Sequence, residues 1–306
     1  MEVKGQEILL SSPPLSTRRW WSSETVAVVT GANKGIGFAM VKRFAELGLS
    51  VVLSARDKER GHRALDLLRS QGLNNHVHFF QLDISNPSSI TTFASWFKHN
   101  FQALDILVNN AGVSFNEIHE NSVENAESVI KTNFYGSKML TQALLPLFRP
   151  SSPISFSSCR ILNISSRLGS INELRNPKLK EMLQSEKLTM DEVEGMVGLF
   201  LENVKDGTWK TQGWPEIWPD YAVSKMALNG YSRVLAKLYK DKGLCVNCFC
   251  PGFTQTSMTG GKGTHTADDA AAVAAGLALI PAKDMQTGRF YLGFHRPGKN
   301  ITNSKL

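Results

Sequence analysis

Long apolar runs are missing from this sequence. Over its first 23 residues the only one is Ile8-Leu-Leu10, far too short for the core of a secretory signal or for a membrane span. Blocks of like charge are missing too. The formal charge is +7, but the 34 lysines and arginines are scattered along the chain, which argues against nucleic acid as a partner. Cysteine is scarce, with four in 306 residues, three of them in Cys245-Val-Asn-Cys248-Phe-Cys250. Cys245 and Cys248 are an odd number apart on an expected strand and so face opposite sides, and no second cysteine or histidine pair completes a metal site. No metal is expected, and buried thiols in a reducing compartment are the better account. The expected location is the cytoplasm. Ser11 to Arg19, rich in Ser, Pro and Arg, resembles a transit peptide and leaves an organelle as the alternative, although Glu2 and Glu7 argue against it. Otherwise residues 1–23 form an extension lying over a single domain of residues 24–306, with Trp20 and Trp21 as hydrophobic anchors.

What the chain does have is core-forming material: 42% of its residues are hydrophobic, ample for one large α/β domain. Its organising stretch is Thr30-Gly-Ala-Asn-Lys-Gly-Ile-Gly37. The β-branched run Thr25-Val-Ala-Val-Val29 before it reads as a buried strand, and the apolar residues from Phe38 to Leu47 recur at helical spacing. Gly31, Gly35 and Gly37 let the backbone turn sharply and let a diphosphate approach bare N–H groups at a helix N-terminus. The spacing departs from the G-x-G-x-x-G dinucleotide fingerprint.

Strand and helix then alternate. Ser50-Val-Val-Leu-Ser-Ala55 reads as a strand ending at Arg56. NAD sites place a carboxylate there for the ribose 2′-hydroxyl, whereas a cation suits a 2′-phosphate. Ser54, Arg56 and Lys34 therefore indicate NADP(H). The bland alternative for Arg56 is a surface arginine at a helix start, with Asp57 as the N-cap. Further strands are expected at Val77 to Leu82, leading to Asp83-Ile84, at Leu104 to Val108, leading to Asn109-Asn110-Ala111-Gly112, and at Leu244 to Cys250, leading to Pro251-Gly252. Such alternation means right-handed βαβ units in a Rossmann-like, doubly wound parallel sheet with helices on both faces, and ligands beyond the strands' carboxyl ends.

Tyr221 and Lys225 are four apart at the start of a helical pattern, so they project from one face. An ammonium there stabilises the phenolate and is expected to lower the tyrosine pKa, allowing Tyr221 to exchange a proton with a carbonyl oxygen. The alternative is an ordinary surface pair on an amphipathic helix.

Taken together, Thr30-Gly-x-x-x-Gly-Ile-Gly37, Asn109-Asn-Ala-Gly112, Ser165-Ser166, Tyr221-Ala-Val-Ser-Lys225 and Pro251-Gly252, in this order, resemble the short-chain dehydrogenase/reductase family. Asn33-Lys34, Ser54-Ala-Arg56-Asp57 and Gly213-Trp-Pro215 are similar to its carbonyl reductase branch. The resemblance implies a catalytic set of Asn133, Ser166, Tyr221 and Lys225. In it Ser166, rather than Ser165, orients the substrate oxygen, Lys225 also bonds the nicotinamide ribose, and Asn133 holds a water relaying protons through Lys225. It implies cofactor contacts from Gly31, Asn33, Lys34, Gly35, Ile36, Gly37, Arg56, Asp83, Ile84, Asn110, Ala111, Gly112, Tyr221, Lys225, Pro251 and Gly252, with Thr254 backbone at the carboxamide and Thr256 at the amide or diphosphate.

Residues 167–220 form a helical insert where most of the family has a much shorter link. Thr189-Met-Asp-Glu192 is a capping box before the amphipathic Val193 to Leu201. The insert reads as a lid over the active site and as a patch on the outer face where relatives dimerise, two compatible readings; the resemblance implies a monomer. Met258 and Gly260 to Gly263 are expected to form a mobile substrate loop, and the tail after His295 to be loose. The function expected is NADPH-dependent reduction of an apolar ketone or aldehyde in a pocket of Phe115, Ile118, Phe253, Met258 and the tryptophan-bearing insert. Alcohol oxidation with NAD(P), or NADP binding without turnover, are the alternatives.

Overall fold

The computed structural model describes residues 7–9, 19–115, 119–149, 159–281, 284 and 286–294. Seven apolar runs become strands: β2 (Val26–Val29), β3 (Ser50–Ala55), β4 (Val77–Gln81), β5 (Ile106–Asn109), β6 (Arg160–Ile164), β7 (Cys245–Cys250) and β8 (Phe290–Leu292). An eighth, β1 (Glu7–Leu9), comes from the N-terminal extension. All pair in parallel, in the order β1-β8-β7-β6-β5-β2-β3-β4. The runs are continuous rather than alternating because both faces of a parallel sheet are covered. One face carries α3 (Pro87–Asn100), α4 (Val123–Ile130), α5 (Ser137–Leu144) and α8 (Pro219–Leu238), with Phe93, Ile130, Leu140 and Tyr231 in its core. The other carries α1 (Gly35–Glu46), α2 (Lys58–Ser70) and α9 (Ala267–Ala278), around Met40, Leu68 and Leu277. Strand order reverses between β5 and β2, and there the carboxyl edge opens into a crevice.

Side chains mark most helix starts. Asp57, Asn86, Ser122 and Thr266 cap α2, α3, α4 and α9. The expected capping box forms at Thr189 and Glu192, starting α7 (Met190–Lys205). With α6 (Pro177–Gln184), α7 makes up most of the insert. Of the two readings of this segment, the outer-face one fits the helix. Val193 meets Gly230 of α8, and Arg233 of α8 donates to the carbonyls of Leu183 and Ser185. These positions are more than two turns beyond Tyr221. The helix therefore lies along the back of α8, with Phe200 packed edge-on against the buried Trp214, and does not cover the crevice.

The extension is held at several points. Trp20 and Trp21 donate their indole N–H groups to the Leu279 and Leu47 carbonyls (2.9 and 3.2 Å). Glu7 accepts a bond from Ser170 (2.6 Å), and the fully buried Arg160 guanidinium lies 5.2 Å from the Trp20 ring. Residues 10–18, which carry the transit-like composition, and the tail after His295 lie outside the described residues.

Candidate active site

The turn between β2 and α1 is shaped by glycine where nothing larger fits. Gly31 has φ +61°, and a Cβ there would sit 2.7 Å from Ala111 Cα; one on Gly37 would sit 2.4 Å from Asn110 Nδ2. Asn110 is close because its amide donates to the carbonyls of Thr30 and Gly31 (2.8 and 3.2 Å), while Ala111 N–H donates to Thr30 Oγ1 (3.0 Å). The loops after β2 and β5 are thus bolted together. α1 differs from its capped neighbours: its N-cap, Lys34, offers no side-chain bond, and no acidic residue stands in the first turn. Thr256 borders this helix start, its methyl 3.5 Å from where a Gly35 Cβ would be. A bare helix N-terminus in a glycine cradle fits a dinucleotide diphosphate. Gly37→Ala is expected to abolish measurable dinucleotide binding and to lower the melting temperature, as calorimetry and thermal unfolding would show; unchanged affinity would contradict this account of the turn.

At the far end of the turn, Lys34 and Arg56 are exposed, and neither is in an ion pair with a carboxylate among the described residues. Asp57 caps α2 through Arg60 N–H, as the bland reading of this corner expects, while Arg56 itself stays outside the helix. Ser54 is a correction. It is fully buried and its hydroxyl bonds the Val29 carbonyl (3.3 Å), so it has nothing to offer a phosphate. A groove beside Asn33 and Lys34 is lined instead by Arg60 and Arg63, one and two turns into α2. Asp83 takes both the N–H and the hydroxyl of Ser85 on one carboxylate oxygen. Ile84 is buried, with both its carbonyl and its side chain against Gly136.

Ser166, Tyr221 and Lys225 converge across the crevice. Ser166 follows β6, accepts the Leu168 N–H on its hydroxyl (3.2 Å), and stands close enough to the Tyr221 phenol to act on its ionisation. Ser165 turns the other way, bonding Asn229 Oδ1 (2.7 Å). Lys225 Nζ donates to the Ile164 carbonyl (2.7 Å) and lies 5.5 Å from the Tyr221 ring centre. Asn133 stands in a π-helical turn, Lys131–Gly136, fully buried. Its amide clamps both backbone groups of Val113 (2.8 and 3.0 Å) and donates to Ser224 Oγ (3.0 Å). Both ends of its amide are thereby occupied.

The expected lowering of the Tyr221 pKa is not what the folded protein does. Burial pushes the phenol above its usual value, Cys250 adds to this, and only the bond with Ser166 works the other way. Lys225 is itself buried, and its pKa falls to about 8. Its ammonium is therefore present below that pH and lost above it. If the ammonium is needed, kcat/KM for reduction should be flat between about pH 6 and 7.5 and fall as pH rises beyond about 8. The linkage has the matching sign. Between pH 8 and the unfolded value of 10.5 the unfolded chain binds more protons, so stability rises with pH there. Lys225→Met should accordingly lose activity while melting no lower than the wild type at pH 7, since it removes a buried charge whose pKa shift corresponds to a penalty on the order of 3 kcal/mol. A lower melting temperature would contradict this.

Beyond β7, Thr254 is buried and its hydroxyl lies 2.9 Å from His265 Nε2, which is 2.6 Å from the Pro251 carbonyl. His265 thus fastens the segment 251–254. Phe115 and Phe253 are exposed; Ile118 lies outside the described residues. Among the described residues no group of three or more His, Cys, Asp or Glu is placed to hold a metal.

This sequence matches the family described as short chain dehydrogenase over residues 25–177 and 211–267. The chain belongs to that family. The unmatched stretch between the two blocks holds most of α6 and all of α7, the outer-face helices. Rat carbonyl reductase [NADPH] 1 is 36% identical over 268 residues, covering 85% of this chain and 92% of that protein. (+)-Neomenthol dehydrogenase of Arabidopsis thaliana is 36% identical over 287 residues, covering 87% and 95%. The structure of salutaridine reductase from Papaver somniferum superposes with a TM-score of 0.80 at 34% identity, covering 87% of this chain and 99% of that one. Two features of this family member escape sequence reasoning. Arg60 could have been found from helical spacing beyond Arg56, whereas His265, eleven residues past Thr254, carries no sequence signal of its contact.

Proposed function

We propose that this chain reduces an apolar ketone or aldehyde to the alcohol with NADPH. The observation that carries the reading is the convergence of Ser166, at the end of β6, on the Tyr221 phenol at the start of α8, with the Lys225 ammonium anchored behind them on the Ile164 carbonyl. Bound NADPH supplies a hydride to the carbonyl carbon. Ser166 donates to the carbonyl oxygen and fixes it against Tyr221, as an oxyanion donor does. Tyr221 gives that oxygen its proton, the phenol being protonated at neutral pH, and the Lys225 ammonium offsets the burial that opposes the phenolate. Lys225 holds the ribose and stabilises the phenolate left behind, and Asn133 fixes the wall beside Gly112 and Val113. Arg56, Lys34 and Arg60 hold the 2′-phosphate.

The name of the rat relative, a carbonyl reductase with NADPH, supports both cofactor and reaction, and the Arabidopsis relative's name points to a terpenoid alcohol or ketone. Phe115 and Phe253, exposed in the segments that follow β5 and β7, suit an apolar substrate. The enzyme acts as a monomer, because α7 covers the outer faces of α4 and α8. It works in the cytoplasm, where its four free cysteines stay reduced. Incubating the purified chain with NADPH and a panel of ketones and aldehydes tests the reading. Loss of NADPH with a chiral alcohol as product supports it; no turnover across cyclic, terpenoid and aromatic carbonyls would overturn it.

A further inference from the structure

The helices α4 and α8 both start at the carboxyl edge and pack side by side, sharing Ala126, Ile130, Val223 and Ala227 in one core. Asn121 stands immediately before the α4 cap, Ser122, and Trp218 is the N-cap of α8. His119 Nδ1, 3.3 Å from the Glu216 carbonyl, holds the two approaches together.

Three enclosed polar atoms here have no partner: Asn121 Nδ2, Asn121 Oδ1 and Trp218 Nε1. They are three of the eight such side-chain atoms among the described residues, and the two residues that carry them each stand two positions from the His119–Glu216 contact. A buried donor or acceptor left unpaired costs free energy, and native proteins keep few of them without a reason. The backbone is under strain at the same point. Trp218 has φ 46° and ψ 60°, a left-handed conformation unfavourable for a bulky residue and further disfavoured before proline. Strain of this kind collects at ligand sites. Trp218 is also three residues before Tyr221, about 4.5 Å along the helix axis.

We propose that Asn121 and Trp218 form a polar subsite of the substrate cleft that binds a second oxygen of the substrate, a hydroxyl or carbonyl, close to the reacting carbonyl. A hydroxyl satisfies the set: it accepts from the indole N–H and donates to the amide oxygen. The substrate class narrows from an apolar carbonyl compound to an apolar one bearing a nearby oxygen function. This inference rests on the reductase reading above, because it takes Tyr221 to mark the reacting carbonyl.

The test compares cyclohexanone with 2-, 3- and 4-hydroxycyclohexanone. Dissociation constants are measured by calorimetry on Tyr221→Phe saturated with NADPH, and kcat and KM on the enzyme with Tyr221 intact. At least one hydroxyketone is expected to bind tenfold or more tighter than cyclohexanone, since a site built for a hydroxyl rejects the analogue lacking it. Trp218→Phe and Asn121→Leu should each cut that ratio at least tenfold, through KM rather than kcat. Without ligand, Asn121→Leu should melt a few degrees higher, because it removes two unpaired buried atoms. A ratio within twofold of unity for all three hydroxyketones would overturn the subsite, as water would then satisfy these atoms. So would a ratio that survives both substitutions while the melting temperature falls, which marks a purely structural role. Absence of turnover in the wild type with a preserved binding ratio would instead sink the reductase reading and leave the subsite standing.

Discussion

Replacing Tyr221 with phenylalanine is expected to lower kcat for carbonyl reduction by roughly a hundredfold to ten-thousandfold, the span typical of a lost general acid. The substitution deletes one hydroxyl. Phenylalanine keeps the ring packing at the start of α8, and the helix behind it is almost wholly buried. Ser166 retains its bond from the Leu168 N–H (3.2 Å), so the strand end stays in place. NADPH affinity should change less than about threefold, because Lys225 remains bonded to Ile164 and the glycine turn is untouched. Stopped-flow NADPH oxidation and calorimetric binding separate the two effects. A variant that keeps more than about a tenth of wild-type kcat would remove Tyr221 from the chemistry.

The second large effect is on cofactor choice. Arg56→Asp should raise the dissociation constant for NADPH on the order of a hundredfold or more and turn the preference toward NADH. A charge-assisted bond contributes about 1.5–3 kcal/mol, and the new carboxylate adds repulsion to its loss. Arg56 is exposed and outside any helix cap, so the protein should fold normally. The carboxylate would also stand where NAD sites keep one for the ribose 2′-hydroxyl. Arg60 remains in the groove beside Lys34, so Arg56→Asp with Arg60→Ala should go further than either alone. The quantity to measure is the ratio of kcat/KM with NADPH to that with NADH. A ratio that moves less than threefold would show that the phosphate is held elsewhere.

Much of this architecture was legible in the residues. Continuous β-branched runs can only be strands covered on both faces, and their spacing by helical patterns leaves little besides a doubly wound parallel sheet. The glycine turn was readable because its geometry depends on side chains that are absent. What was hidden depended on distance in space. A three-residue strand such as β1 has too few positions to show a period, and only its pairing with β8 reveals it. Ser54 looked available beside Arg56, but Val29 on the neighbouring strand takes its hydroxyl. The insert's amphipathic helix announced an apolar face without saying which surface it would cover. Tyr221 and Lys225 were correctly placed on one face of a helix, yet the sign of the tyrosine's shift depended on burial, which no spacing displays. The orphaned atoms of Asn121 and Trp218 are likewise a property of the assembled cleft alone.

The central claim is that the crevice between the glycine turn and Tyr221 holds a reduced nicotinamide within hydride-transfer reach of a carbonyl carbon. Single-turnover reduction of a ketone by the wild type with NADPH deuterated at C4 tests it most directly, with the alcohol analysed by mass spectrometry and NMR. One stereospecific deuterium on the carbinol carbon, from one face of the nicotinamide only, is the result expected. Alcohol without deuterium from either C4 epimer of the label, or NADPH that binds tightly and keeps its label in the presence of every ketone offered, would contradict it.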